Sequence, residues 1–351
     1  MRTVWQVLQV AFTYIGTVVG AGFATGQEIL QFFTRYGWLA ALTIGVSCAL
    51  FTWLGIKLML MAHDGKARSY EDLNRMLFGR RFGSGLSLFT MVVLFGVTTI
   101  MLAGGGSLFE EQLHLSYQTG LLITLAAAYL VLTRGMKAIL AVNTLVVPFM
   151  ILLSVTIVLI SRDLPGASNW LRLTSDYPTL RIWLSPLLYT AFNLAMAQAV
   201  LVPLGASIRD RRVLYWGGLV GGVGIGLMLL AAHFALSAQM PGIRQFEIPM
   251  GHIIRTFGGS LHLLYTLVIY GEIFTTFIAD AYGLALQLEQ RLKLNRRLLI
   301  ALILILSYFV SQIGFSHLLA TLYPLFGLVS LLWFGMIIAR RRGTAQPPSE
   351  H

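Results

Sequence analysis

Between Ile15 and Gln31 the chain reads IGTVVGAGFATGQEILQ. Gly16, Gly20, Gly22 and Gly26 fall within eleven positions of a run otherwise apolar enough to cross a bilayer. Glycine costs about 1 kcal/mol relative to alanine inside a helix. Four of them, with β-branched Thr17, Val18 and Val19 interspersed, predict a helix that stops and restarts. Within hydrocarbon, broken backbone is tolerated only where protein or a watery cavity satisfies its polar groups. A broken first span therefore predicts a cavity, and a cavity at that depth predicts a passenger.

The bilayer itself follows from composition. Of 351 residues, 57% are hydrophobic and 11% charged, with a mean hydropathy of +0.77, against about 25% charged residues in soluble domains. A soluble fold of this size would have to hide too much apolar surface, so an all-α polytopic membrane protein is expected. About 20 apolar residues cross a bilayer, and ten transmembrane helices are expected on that criterion: 5–34 (interrupted), 38–62, 84–112, 118–133, 136–161, 182–207 (interrupted), 213–237, 259–288, 297–314 and 317–339. They form one transmembrane domain over 1–342. The tail 343–351, with Pro347 and Pro348, is expected to be disordered.

Charge sets the orientation. The formal net charge is +11. Loops at 66–81, 134–137, 209–212, 291–297 and 340–342, together with Arg2, hold eighteen basic residues. The alternate loops hold six: Arg35, Arg162, Arg172, Arg181, Arg244 and Arg255. Basic loops stay in the cytoplasm, so both termini and the tail are expected there, and the excess charge is assigned to anionic lipid rather than to nucleic acid. Lys57, near the cytoplasmic end of the second span, is placed to snorkel. The single cysteine, Cys48, excludes an intrachain disulfide and a cysteine metal cluster. The N-terminus has one Arg and no small-residue cleavage site, which reads as a retained span.

Ten spans divide as five plus five, with repeat one over about 5–161 and repeat two over about 182–339. In the sixth span Pro186 and Pro203 flank the polar stretch Asn193 to Gln198, and proline disrupts the helix before it. The step from Gly20 to Ala195 is 175 residues, and that from the Thr98, Thr99 pair to the Thr275, Thr276 pair is 177. Matched interrupted segments in two halves point to the binding site of an inverted-repeat transporter. Two further pieces do not span: Ser69 to Phe78, an amphipathic cytoplasmic helix, and Phe246 to Phe257, which reads either as a lid or as an interfacial helix.

Gly16-Thr17-Val18-Val19-Gly20-Ala21-Gly22 resembles the G-x-x-V-G-x-G pattern in the first span of sodium-coupled neurotransmitter and amino-acid symporters. The longer string GTVVGAGFATGQEILQFF, with the YEDLN and NRMLFG region and the eighth-span segment, resembles the YkvI-like bacterial membrane proteins of the amino-acid/polyamine/organocation superfamily. That resemblance implies the five-plus-five inverted repeat of the leucine-transporter fold, with the first and sixth spans broken around the substrate, in a bacterial plasma (inner) membrane. It also implies a sodium site between the first and eighth spans, made by the carbonyls of Gly16, Val19 and Glu272 and the hydroxyls of Thr275 and Thr276. Five oxygens suit a hard cation. Where the family's second sodium site draws on an Asn, this chain has Phe23-Ala24.

Several side chains invite chemistry. Glu272 is an acid at mid-span, a placement that costs about 2.5–3.5 kcal/mol. With Thr276 and Asp280 it forms a polar stripe at four-residue spacing. Glu272 either supports cation binding or carries a coupling proton, or it is a protonated structural acid; Asp280 is a gate partner or a solvated end. Thr25-Gly26-Gln27-Glu28 fits a capping box in which Glu28 bonds back to the Thr25 amide; a substrate or gate contact is the other reading of Glu28. The restarted helix is expected to aim free amides of Gly20, Ala21, Gly22 and its neighbours at the cavity, a place for a substrate carboxylate, with Thr25 nearby. Asn193 and Gln198 read either as partners of a substrate amine or as interhelical hydrogen-bond formers. His233, His262 and His317 lack ligand-spaced partners. Gly104-Gly105-Gly106 and Gly217 to Gly226 lack the Lys-Ser/Thr of a phosphate loop and read as sites of close helix approach. No Ser-His-Asp set or suitable acid pair marks an enzyme.

The expectation is a carrier that takes up a small amine-bearing solute, most simply an amino acid, by alternating access. Sodium is the preferred coupling ion and a proton through Glu272, Glu28 or Asp280 the second; no cofactor is expected. The competing class is a receptor on the same fold that binds a small molecule without moving it.

Overall fold

The computed structural model describes residues 2–67, 70–134, 149, 152, 154–255 and 258–339. Among these residues there is no strand. The helices are α1 (Arg2–Val18), α2 (Ala21–Thr25), α3 (Gln27–Phe32), α4 (Leu39–Gly65), α5 (Tyr70–Leu113), α6 (Tyr117–Arg134), α7 (Asn169–Arg172), α8 (Thr179–Ser207), α9 (Arg211–Ala238), α10 (Pro249–Arg255), α11 (Gly259–Leu292), α12 (Arg296–Ser311) and α13 (Phe315–Ala339). Among the described residues six stretches are long and apolar enough to cross a membrane: Leu39–Gly65, Leu88–Leu113, Thr179–Ser207, Arg211–Ala238, His262–Glu289 and Phe315–Gly335. Leu227, Phe309 and Leu332 are among the large apolar side chains left exposed, a surface that suits lipid rather than water. The expected fifth span, 136–161, lies largely outside the described residues, which rejoin it as helix over 154–161. The tail 343–351 lies outside them entirely.

Small residues set the closest helix contacts. The glycines of α9 meet α1 and α4: a Cβ would strike Val10 from Gly217, Ile56 from Gly218, Tyr14 from Gly221 and Ile15 from Gly224. Gly104, Gly105 and Gly106 likewise admit Phe315, Thr124 and Tyr117. Both glycine clusters thus act by letting helices approach, where van der Waals contact replaces a hydrophobic drive that lipid does not supply. The amphipathic stretch from Tyr70 ends at Gly79, whose φ of 72° and ψ of 173° break α5. On the other side of the molecule a 3-10 turn (Gly242–Gln245) leads into α10, so the expected lid helix is shorter than 246–257.

The sixth span does not break. α8 runs from Thr179 to Ser207 as one α-helix with Pro186 and Pro203 inside it. Both prolines fall within about two turns of an end, where one freed carbonyl is easily met. The polar residues between them bond to their own helix: Asn193 Nδ2 donates to the Tyr189 carbonyl (3.0 Å) and Gln198 Nε2 to that of Ala195 (2.8 Å). With no glycine in that stretch, nothing there favours an interruption.

Candidate functional site

The first span breaks where its glycines placed the break. The backbone ladder runs to Val19 N–H on the Ile15 carbonyl (2.7 Å) and resumes with Ala24 N–H on Gly20 (3.0 Å). Among the described residues the amides of Gly20, Ala21, Gly22 and Phe23 find no backbone acceptor, and the carbonyls of Gly16 and Val19 no backbone donor. The restarted helix is short. Gly26, at φ 82°, ends α2 after five residues and starts α3. A side chain at Gly26 would be strained and would meet Met250 of α10 at 2.7 Å. Five residues carry only a small macrodipole, so the positive end of the restarted helix is weak.

Nor does the capping box form. The Thr25 hydroxyl accepts from the Gln27 amide (3.4 Å) and donates to the Gly22 carbonyl (3.0 Å), and α3 has no side-chain cap. Glu28 instead turns its carboxyl group onto Gly22, where any Cβ would overlap it. The hydroxyls of Tyr323 on α13 and Tyr189 on α8 lie against the same carboxyl group. That of Tyr189 is buried and stops short of a full hydrogen bond. Glu28 and both tyrosines are buried.

α11 supplies the facing wall. Thr276 Oγ1 lies 3.6 Å from where a Gly20 Cβ would be, so Thr276 neighbours the break. Thr275 donates to the Glu272 carbonyl (3.1 Å), which places that hydroxyl and that carbonyl side by side. Glu272 is buried and its Oε1 has no partner. One turn beyond Thr276, Asp280 also keeps a buried oxygen, Oδ2, without one. The cation set that the resemblance implies, the carbonyls of Gly16, Val19 and Glu272 and the hydroxyls of Thr275 and Thr276, offers only oxygens, which a hard cation prefers. Of its two walls the structure shows Thr276 against Gly20.

Two cavities lie near this region, and one of them touches the break. One, beneath α10, is lined by Phe23, Ala24, Ala232, Met250 and Tyr265, and the Tyr265 hydroxyl donates to the Ala24 carbonyl (3.1 Å). α10 is held over it by Glu111 of α5, whose carboxylate accepts from the amides of Glu247 (2.7 Å) and Ile248 (2.9 Å). The other cavity lies between α5, α8 and α13 and is lined by Phe89, Val93, Phe192, Ala195, Gln198 and Trp333. Phe192 packs on Tyr323 with ring centroids 4.4 Å apart, so this cavity reaches the Glu28 neighbourhood through one aromatic pair. Its far end is tied by Asn74, which donates to Gln198 Oε1 (3.2 Å) and accepts from Trp333 Nε1 (3.0 Å).

The structure thus sets Glu28 on Gly22, the Thr25 hydroxyl on the Gly22 carbonyl and Thr276 opposite Gly20, with Asp280 one turn beyond Thr276. It engages Asn193 and Gln198 in structural bonds at the edge of the second cavity. Tyr189, Tyr323, Asn74 and Glu111 were not singled out in the sequence. For the tyrosines a signal existed, because a tyrosine inside an apolar span must find a partner for its hydroxyl. The histidines fit packing roles: His233 shares Nδ1 with Thr34 and Ser237 (3.2 and 3.1 Å), His262 meets Gln112 (2.9 Å), and His317 is exposed.

No protein-family model matches the chain. It is 42% identical over 337 residues to the uncharacterized membrane protein YkvI of Bacillus subtilis (strain 168), covering 95% of each protein. Among solved structures it resembles Mhp1 in an inward-facing conformation, with a TM-score of 0.69 at 11% identity over 94% of this chain and 74% of that one. It also resembles MhsT in complex with L-phenylalanine, with a TM-score of 0.68 at 13% identity over 93% and 88%. Mhp1 is a nucleobase-cation-symport-1 family transporter. These likenesses establish the fold, the leucine-transporter fold of both proteins.

Proposed function

The chain belongs to the YkvI family of membrane proteins, and from that premise we propose that it is a secondary carrier with ten spans in a five-plus-five inverted repeat. It moves a small amine-bearing solute by alternating access, coupled to a cation. The observation that carries the proposal is the set of unpaired amides of Gly20 to Phe23 and carbonyls of Gly16 and Val19, beside a cavity lined by Phe23 and Ala24 and with Gly20 facing Thr276. Peptide groups left open at this depth are costly unless something binds them. Sodium is the coupling ion this reading prefers, through the carbonyls of Gly16, Val19 and Glu272 and the hydroxyls of Thr275 and Thr276. A proton on Glu272, whose buried Oε1 lacks a partner, is the second choice.

In this reading the basic loops face the cytoplasm of a bacterial cell, so α10 closes the outer side and the Asn74 bonds the inner side. An amino acid is the solute the sequence suggests, and one protein of the same fold is seen with L-phenylalanine. The test is uptake by proteoliposomes with imposed sodium or proton gradients. Accumulation driven by an inward sodium gradient is expected; accumulation indifferent to both gradients removes the coupling. Binding without flux favours the receptor alternative.

A further inference from the structure

The placement of Glu28 narrows the solute. Its carboxyl group fills the space that Gly22 leaves by lacking a side chain. Tyr323 and Tyr189 face it; the Tyr189 ring is held among Phe32, Phe33 and Phe51, and its buried hydroxyl lacks a full partner. Asp280, with one buried oxygen unpartnered, adds a second acid in the neighbourhood of Tyr323. Among the described residues, none of the ion pairs includes Glu28, Asp280 or Glu272. A buried acid with aromatic neighbours and no basic partner is a receptor for an organic cation.

The same geometry disfavours a carboxylate, because the Glu28 carboxyl group already lies at Gly22, among the unpaired amides of Gly20 to Phe23 that would otherwise receive one. A zwitterionic amino acid bound at the break would bring its carboxylate beside Glu28. The five-residue α2 offers little dipole to hold it there, and like charges at short range repel. We infer that the solute is an organic amine without a carboxylate, its ammonium group held by Glu28 between Tyr189 and Tyr323. This rests on reading the break as a solute site, and it replaces the amino acid in that reading by the corresponding amine.

Matched pairs test it: phenethylamine with phenylalanine, isoamylamine with leucine, cadaverine with lysine. Binding to the full-length protein in nanodiscs is measured by titration, and flux of the same compounds in proteoliposomes. At least one amine is expected to bind about tenfold or more tightly than its amino acid, and Glu28→Gln to weaken that amine about tenfold or more. Tyr323→Phe, which keeps the ring on Phe192, is expected to fold as the wild type and to weaken the amine severalfold. Equal or tighter binding of the amino acids, no binding of any amine, or unchanged amine affinity in both variants overturns the inference. Amine selectivity lost in Glu28→Gln but without flux leaves this site standing and overturns the transport reading instead.

Discussion

The Glu28 carboxyl group rests on the Cα of Gly22, in space that any other residue at that position would occupy. The glycine that helps to break the first span is thereby also the seat of its acid.

Gly22→Ala is expected to lower thermal stability by about 1–3 kcal/mol, the usual cost of overpacking. Because the clash is with one side chain, Gly22→Ala in a Glu28→Ala background should cost less, with a coupling of about 0.5–3 kcal/mol. Thermal unfolding of the four proteins of this cycle in detergent checks it. Strict additivity would mean that the two residues do not touch.

Thr276→Ala removes the hydroxyl that faces Gly20. The sodium concentration for half-maximal binding should rise about tenfold, as for loss of a buried oxygen ligand, while solute affinity at saturating sodium changes little. Titration of binding with sodium at fixed solute separates the two. Equal loss of both would assign Thr276 a merely structural role.

Glu111→Ala takes away the acceptor that holds the two amides ahead of α10. Hydrogen bonds to a charged group contribute about 1.5–3 kcal/mol. Amide exchange over 247–254 should therefore accelerate by about tenfold or more while exchange in α4 and α9 is unchanged. Unaltered exchange over 247–254 would show that α10 is held by packing alone.

Asn74→Ala severs the link from the amphipathic start of α5 to Gln198 and Trp333. Each bond is a neutral one, worth about 1 kcal/mol, so the protein should still fold. Exchange of the amides over 70–78 should rise, and the cavity lined by Ala195 should become easier to reach from the basic side. Protection equal to the wild type would remove Asn74 as a tie.

The first break was legible because glycine writes backbone freedom directly into the sequence, and the structure interrupts the helix between Val18 and Ala21. The glycine-rich stretches of α5 and α9 were legible for the same reason, small residues having few uses in a span. The sixth span misled because proline reports a lost hydrogen bond without fixing whether the helix ends there, and in α8 it does not. Glu28 stayed open between a cap and a cavity contact because a capping box is a local pattern. The competing contacts, with Tyr189 and Tyr323, come from helices far along the chain. Gln198 shows the same limit: its polar partner Asn74 sits in another element altogether.

The most direct test of the central claim is reciprocal access to the two cavities. In a Cys48→Ala background, single cysteines at Ala24 and at Ala195 are labelled with a membrane-impermeant thiol reagent applied from each side of proteoliposomes. Sodium with solute should raise the labelling of one position and lower that of the other, each from its own side of the bilayer. Labelling of both positions that is indifferent to ions and solute, or that rises and falls together, would contradict a carrier that opens by turns around its broken first span.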